Sequence, residues 1–330
     1  MANTGDLITR KYNSFRGVDF RGEDINLVRS PDSLNVWKDY KEVDSIRTRP
    51  GMELHTEFDD TIHGIFFYNG QTLVHSGTHL YKVTEGFKTL LCSGLAETNS
   101  NAFIYENIWY FMDGKSYLQY NGTYISPVVG YVPTTSIARK PNGGGTIYED
   151  VNMLTGHRKN SFLSDGNSTV YMLDSRDIDD DFKPIVTVDN VAVSNYTVDY
   201  TKGQITFNSP PSLPLTDGQD NVVIEYKKDV SGYRDSILNC TLLQVFDNRV
   251  FVSGNANYPN VVWHCSLNDP TYFSDLDFYR EGMDTAKVKG LVAGNNALWV
   301  FREPSEAKTK FLILPCASRQ STPTRSIAKP

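Results

Sequence analysis

From Ile62 onward the chain alternates short apolar runs with two-residue polar breaks, a rhythm that predicts strands and tight turns. The stretch IHGIFFYNGQTLVHSGTHLYKV sets an apolar run before Asn69-Gly70, a second strand from Leu73 to His75, a break at Ser76-Gly77 and a third strand from Leu80 to Val83. Asn-Gly between apolar runs is a strong hairpin signal, because both residues accept positive φ. The scheme recurs at Asn101, with breaks at Glu106-Asn107, Asp113-Gly114 and Asn121-Gly122. It recurs again at Thr241, with breaks at Asp247-Asn248 and Gly254-Asn255, and at Val288, with a break at Gly294-Asn295. Antiparallel units repeating every roughly 40 to 50 residues are the pattern of β-propeller blades, which need neighbours to bury their faces. An irregular β-sandwich with recurring hairpins is the alternative. The predicted fold class is all-β: a β-propeller-like array of antiparallel blades with an inserted small β-sandwich module, incomplete at the C-terminus.

Between the second and third units the rhythm breaks. Residues 133–165 contain Pro141-Asn142-Gly143-Gly144-Gly145 and few apolar positions, and read as a long loop. Beyond them Val186, Val188, Val191, Val193, Tyr196, Val198, Ile205, Phe207, Val223 and Ile224 mark strands, separated by Asp189-Asn190, Lys202-Gly203 and Asp217-Gly218. These predict a small sandwich inserted where an insertion costs little. The expected organisation is an N-terminal arm and lead-in over 1–60, the first part of the array with its loop over 61–165, the inserted module over 166–232, and the second part over 233–314. Residues 315–330 carry three prolines and no acidic residue, and are expected to form a disordered tail.

Composition adds limits. The 330 residues are 39% hydrophobic, enough for a core, and rich in the Tyr, Phe, Val, Ile and Thr that favour strands. A net charge of −7 argues against a dedicated grip on nucleic-acid backbone, yet suits a wall that DNA slides past without adhering. The N-terminus MANTGDLITRKY has no apolar signal region, and no run reaches the ~18 apolar residues of a membrane span, so synthesis and retention in a cytoplasm are expected. Cys92, Cys240, Cys265 and Cys316 form no C-x-x-C pair and read as free thiols without metal or redox chemistry.

Most chemical motifs are incomplete in this sequence. Asp113-Gly114-Lys115-Ser116 has Trp109 where a P-loop needs its first Gly. His75 and His79 flank a hairpin turn, so their spacing does not put them on one helical face. Asp177, Asp179 and Asp181 match the first three ligand positions of a calcium loop, but Phe182 and Val188 stand where its Gly and Glu belong; a looser cation site there is a weak candidate against a solvated acidic turn. Ser164-Asp165-Gly166-Asn167-Ser168-Thr169 is one partial copy of a sialidase-type Asp-box turn. Tyr117, Tyr120, Tyr124 and Tyr131 could stack on sugar rings, or pack between blades. No pair of carboxylates is singled out for glycoside hydrolysis, and neither a catalytic residue nor a cofactor is predicted.

One resemblance adds to this. Phe15-Arg16-Gly17-Val18, Ser30-Pro31-Asp32, Leu34-Asn35-Val36-Trp37 and Arg47-Thr48-Arg49-Pro50-Gly51 together resemble the N-terminal layout of tailed-bacteriophage tail nozzle proteins, or tail tubular protein B, and of the related packaged-DNA stabilisation proteins. The likeness covers residues 13–51, with Val18 standing where a second Gly is common. It implies a propeller with inserted β domains and a structural role for Pro31, Asp32, Asn35, Trp37, Arg49, Pro50 and Gly51, with Pro50-Gly51 forming a tight corner. It further implies a non-enzymatic virion protein, assembled in the host bacterial cytoplasm into a ring, hexameric in the family, that joins a portal and adaptor and lets DNA pass through its channel. A carbohydrate-binding adhesin or tail-associated receptor-binding module is the alternative function.

Overall fold

The computed structural model describes residues 35–38, 46–282, 286–303 and 311–315, with backbone alone at 37–38, 46 and 311–315. The chain divides into two compact units, Met1–Glu57 and Phe58–Pro330. In the first, β1 (Val36–Lys38) pairs antiparallel with β2 (Ile46–Thr48), setting Trp37 opposite Arg47. Asn35 adopts a left-handed φ of 58°, and Arg49 N donates to its carbonyl at 2.7 Å, closing the pair. Gly51 is not left-handed, so the expected tight Pro50-Gly51 corner does not form; Arg49 to Gly51 leave β2 as an exposed irregular segment.

The second unit opens with two four-stranded antiparallel meanders. The first comprises β3 (Ile62–Tyr68), β4 (Gln71–Ser76), β5 (His79–Thr84) and β6 (Phe87–Ser93). The next comprises β7 (Asn101–Tyr105), β8 (Ile108–Met112), β9 (Tyr117–Tyr120) and β10 (Ile125–Pro127). The hairpin turns are left-handed at both central residues, at Asn69-Gly70 (46°, 72°) and at Glu106-Asn107 (46°, 62°), as their strand-matching twist requires. A further such turn at Glu85-Gly86 creates β6, the fourth strand, which the apolar pattern had not signalled.

An inserted module follows. Its larger sheet orders β12 (Thr146–Ile147), β11 (Thr134–Arg139), β13 (His157–Phe162), β19 (Val222–Lys227), β15 (Ile185–Val188) and β16 (Val191–Val193). Its smaller sheet orders β14 (Val170–Met172), β18 (Gln204–Phe207) and β17 (Tyr196–Asp199). Phe162, Val186 and Ile224 from the first sheet meet Tyr171, Ile205 and Phe207 from the second in one core, making the module a sandwich. The expected long loop over 133–165 is therefore corrected: it holds β11, β12 and β13, and the sandwich begins well before residue 166. The sequence concealed this because β13 turns Arg158 and Asn160 inward alongside Phe162, so its buried face is mostly polar.

After the short helix α1 (Tyr233–Leu238) come two further meanders. One comprises β20 (Leu242–Phe246), β21 (Arg249–Ser253), β22 (Val261–His264) and β23 (Phe278–Arg280), the other β24 (Val288–Gly294), β25 (Ala297–Arg302) and β26 (Phe311–Pro315). Their hairpins turn at Asp247-Asn248 and at Asn295-Asn296, the latter one residue later than the pattern predicts, because Gly294 is consumed as the last strand residue. Residues 316–330, expected to be a tail, lie outside the described residues.

The meanders stack face to face. On β8, Trp109 and Phe111 point into a core shared with Tyr68, Leu73 and Leu80 of the first meander. Tyr110 and Met112, on its other face, join Val250, Val252 and Trp263 of the third. Phe251 and Val262 then face Leu291, Leu298 and Val300 of the fourth. An interior blade thus buries both faces, which is why β8 reads as an uninterrupted apolar run where simple alternation would mark a half-exposed strand. The first strands β3, β7, β20 and β24 lie successively beside one another, giving a propeller-like fan. The fold is nearly all β, 47% strand against 2% helix, and no closed barrel is found among the described residues.

Candidate functional site

A cleft of about 380 Å³ lies where the connection from β12 to β13 runs beside the chain leaving β19. Residues 151–158 form one wall and 227–235 the other. The two walls are tied by β13–β19 pairing, His157 opposite Lys227, and by Lys228 N donating to Gly156 O at 2.9 Å. They approach so closely that a Cβ on Gly156 would meet Asp229 Oδ1 at 2.0 Å, so glycine is required by space alone.

Asn152 anchors the first wall to the third meander. Its Nδ2 donates to Tyr131 O at 2.8 Å and Thr271 O at 2.9 Å, while its Oδ1 accepts from Leu154 N at 3.0 Å and Phe273 N at 3.1 Å. Every donor and acceptor of this buried amide is used.

Five basic residues line the cleft, and they fall into two kinds. Lys227 is saturated with carboxylates: Asp181 at 2.5 Å, Asp229 at 3.0 Å and Asp179 at 3.9 Å. Hydrogen bonds to Asp181 and Asp229 hold its ammonium above the ordinary lysine range. His157 Nδ1 lies 3.1 Å from Glu225 Oε1. The remaining three hydrogen-bond to backbone carbonyls: Arg158 to Lys228 O at 2.7 Å, Lys228 to Arg176 O, and Arg234 to Leu154 O. Arg158 is 7% exposed, and its Nε has no partner.

The sequence candidates are redistributed. Asp179 and Asp181 converge on the Lys227 ammonium, and Asp179 also accepts from Asp229 N at 2.8 Å, so an internal cation already fills the place a calcium ion would take. Asp177 is left-handed (φ 50°) and is not among the Lys227 partners; no three-ligand metal group occurs among the described residues. The acidic turn therefore carries an ion-pair cluster around Lys227, formed by Asp179, Asp181 and Asp229. Pro31 and Asp32, and the side chain of Trp37, lie outside the described residues, while Asn35, Arg49, Pro50 and Gly51 are described and exposed.

The failed motifs have structural roles. Asp113 is fully buried, with Oδ1 accepting from Lys115 N at 2.9 Å and Ser116 N at 2.6 Å and Oδ2 accepting from Ala96 N at 2.8 Å. It pins the connection between the first two meanders. Asp165 accepts from Asn167 N and Ser168 N as a local turn, and hydrogen bonds from Ser168 hold its carboxyl below the usual range. Tyr117 and Tyr120 are buried between meanders, whereas Tyr124 and Tyr131 are exposed, with Tyr131 donating to Glu149.

Sequence reasoning missed Arg158, Lys228 and Arg234. Their available signal was local: basic residues cluster at His157-Arg158-Lys159 and at Lys227-Lys228 in a chain that is acidic overall.

No protein-family model and no curated protein sequence matches this chain. Among solved structures, the crystal structure of the computationally designed Ika4 protein aligns over 80% of this chain and 99% of its own, at 8% identity and a TM-score of 0.33, a level that carries no argument about fold or function.

Proposed function

We propose that the chain is a non-enzymatic structural protein of a tailed-bacteriophage virion, of the tail nozzle or tail tubular class, which assembles into a ring below a portal and adaptor and retains and passes DNA. The N-terminal resemblance raises this reading, and the fan of stacked meanders interrupted by a sandwich is the architecture that resemblance implies.

The observation that supports assembly is the outer face of the first meander. Ile65 and Phe67, two apart on the same face of edge strand β3, are 55% and 74% exposed, and Leu90 on the opposite edge strand β6 is 53% exposed, with the buried Val74 and half-buried Tyr81 between them. Interior blades bury both faces, whereas this end blade leaves the apolar pair on β3 exposed. A neighbouring subunit would cover this one. The net charge of −7 suits a channel that does not trap phosphate.

The test is light scattering and electron microscopy of the purified chain, alone and mixed with a portal–adaptor complex. Rings or a portal-bound collar are expected, and Phe67→Asp should abolish them while leaving the circular dichroism unchanged. A chain that stays monomeric and ignores the complex overturns the proposal; glycan-array binding by that monomer would transfer the reading to an adhesin.

A further inference from the structure

We infer that the cleft between the sandwich and the array binds a small organic oxyanion, a compact apolar body carrying a carboxylate or phosphate group. This does not depend on the ring reading.

Charge carries the argument. The chain is acidic overall, yet Arg158, Lys228 and Arg234 all line one cleft, together with Asp229 and Asp235, and none of the three has a carboxylate within ion-pair distance among the described residues. A guanidinium does not release its proton under ordinary conditions, so Arg158 is a permanent buried charge. Its single carbonyl partner neutralises none of that charge, and its Nε donor is unpartnered. Buried charges are normally paired, and the other basic groups here show how this chain does it. Lys227, in the same cleft, has its three aspartates. Arg139, the other buried arginine with an unpartnered Nε, has the Asp174 charge beside it and lies over the Phe162 ring within the sandwich. Arg158 lines the cleft and has no carboxylate paired with it among the described residues.

Shape and lining agree. A volume of about 380 Å³ falls in the usual range for small-ligand pockets, roughly 300–1,000 Å³. Val151, Val230 and Tyr233 offer apolar surface beside the cations. Arg158 and Lys228 belong to the sandwich strands and their ends, whereas Arg234 sits on α1, which packs into the array through Ile237 and Leu238. An oxyanion held by all three would fasten the module to the array.

The experiment titrates the full chain with phenyl phosphate, sodium benzoate, inorganic phosphate and neutral benzyl alcohol at fixed ionic strength, by calorimetry and by amide exchange. Saturable binding of phenyl phosphate or benzoate is expected, tighter than inorganic phosphate, with protection confined to 151–158 and 227–235 and no binding of benzyl alcohol. Arg158→Met should weaken binding about tenfold or more, the scale of a lost charge-assisted contact. Because that variant removes a buried side chain, Arg234→Gln and Lys228→Gln are measured as well; each should weaken binding about threefold or more with the fold intact by circular dichroism. The inference is overturned if neither organic anion binds up to about 10 mM, if benzyl alcohol binds equally, or if Arg234→Gln and Lys228→Gln both bind as the wild type does.

Discussion

Replacing Asn152 tests how the wall of the cleft is held. Its amide makes four hydrogen bonds at 2.8 to 3.1 Å and is 1% exposed, so water cannot replace them without opening the structure. At ~0.5–1.5 kcal/mol net per bond, the loss spans roughly 2–6 kcal/mol, and the four backbone groups stranded by Asn152→Ala place it near about 4 kcal/mol. Asn152→Asp has the same shape and sharpens the reasoning. It keeps the two acceptor contacts but sets a carboxylate oxygen against the carbonyls of Tyr131 and Thr271, so near pH 8 it should destabilise more than alanine does. On acidification toward pH 5 it should recover part of the loss, because the protonated acid can donate to one of those carbonyls. Urea unfolding followed by tryptophan fluorescence measures this, since Trp263 shares a core with Met153, Leu154 and Phe273. An alanine variant within about 0.5 kcal/mol of wild type, or an aspartate variant more stable than the alanine one, would refute the assignment.

Other expectations follow from buried groups. Asp113→Ala strands three backbone N–H groups and should cost about 3–5 kcal/mol, with Asp113→Asn costing less because one oxygen still serves Lys115 and Ser116; equal losses by denaturant unfolding would contradict the geometry. Burial holds the His75 imidazole below its ordinary range, against a partial pull upward from Asp113 and with His63 adding to the depression. Below about pH 6.5 the unfolded chain therefore takes up a proton that the folded chain refuses, and stability should fall as pH drops through that window until the folded group also protonates. His75→Gln should flatten the midpoint-versus-pH curve there, leaving the share of His264, which burial also depresses; an unchanged slope counts against the reading. Burial pushes the Cys265 thiol up to about 12 and raises Cys240 further, so alkylation at pH 8 read by peptide mass spectrometry should spare both until denaturant is added.

Much of the array was legible because hairpin chemistry is local. Asn69-Gly70, Glu106-Asn107 and Asp247-Asn248 are turns in both the pattern and the structure, and the apolar runs beside them are strands. What escaped depends on partners distant in sequence. The inward face of β13 is Arg158, Asn160 and Phe162; Asn160 is satisfied by Thr135 and by Asp174 N, so no local periodicity betrays a buried strand. Asp179 and Asp181 looked like cation ligands because their partner Lys227 arrives from β19, far along the chain. The cleft was invisible for the same reason, since its two walls meet only once the sandwich has folded between them. The basic runs at 157–159 and 227–228 were the available signal.

The proposed function stands or falls on assembly. Electron microscopy of the purified protein mixed with a portal–adaptor complex tests it most directly. Closed rings or a collar seated on the adaptor, lost in Phe67→Asp, are the predicted result; monomeric particles of unchanged size beside free portal–adaptor complexes would contradict it.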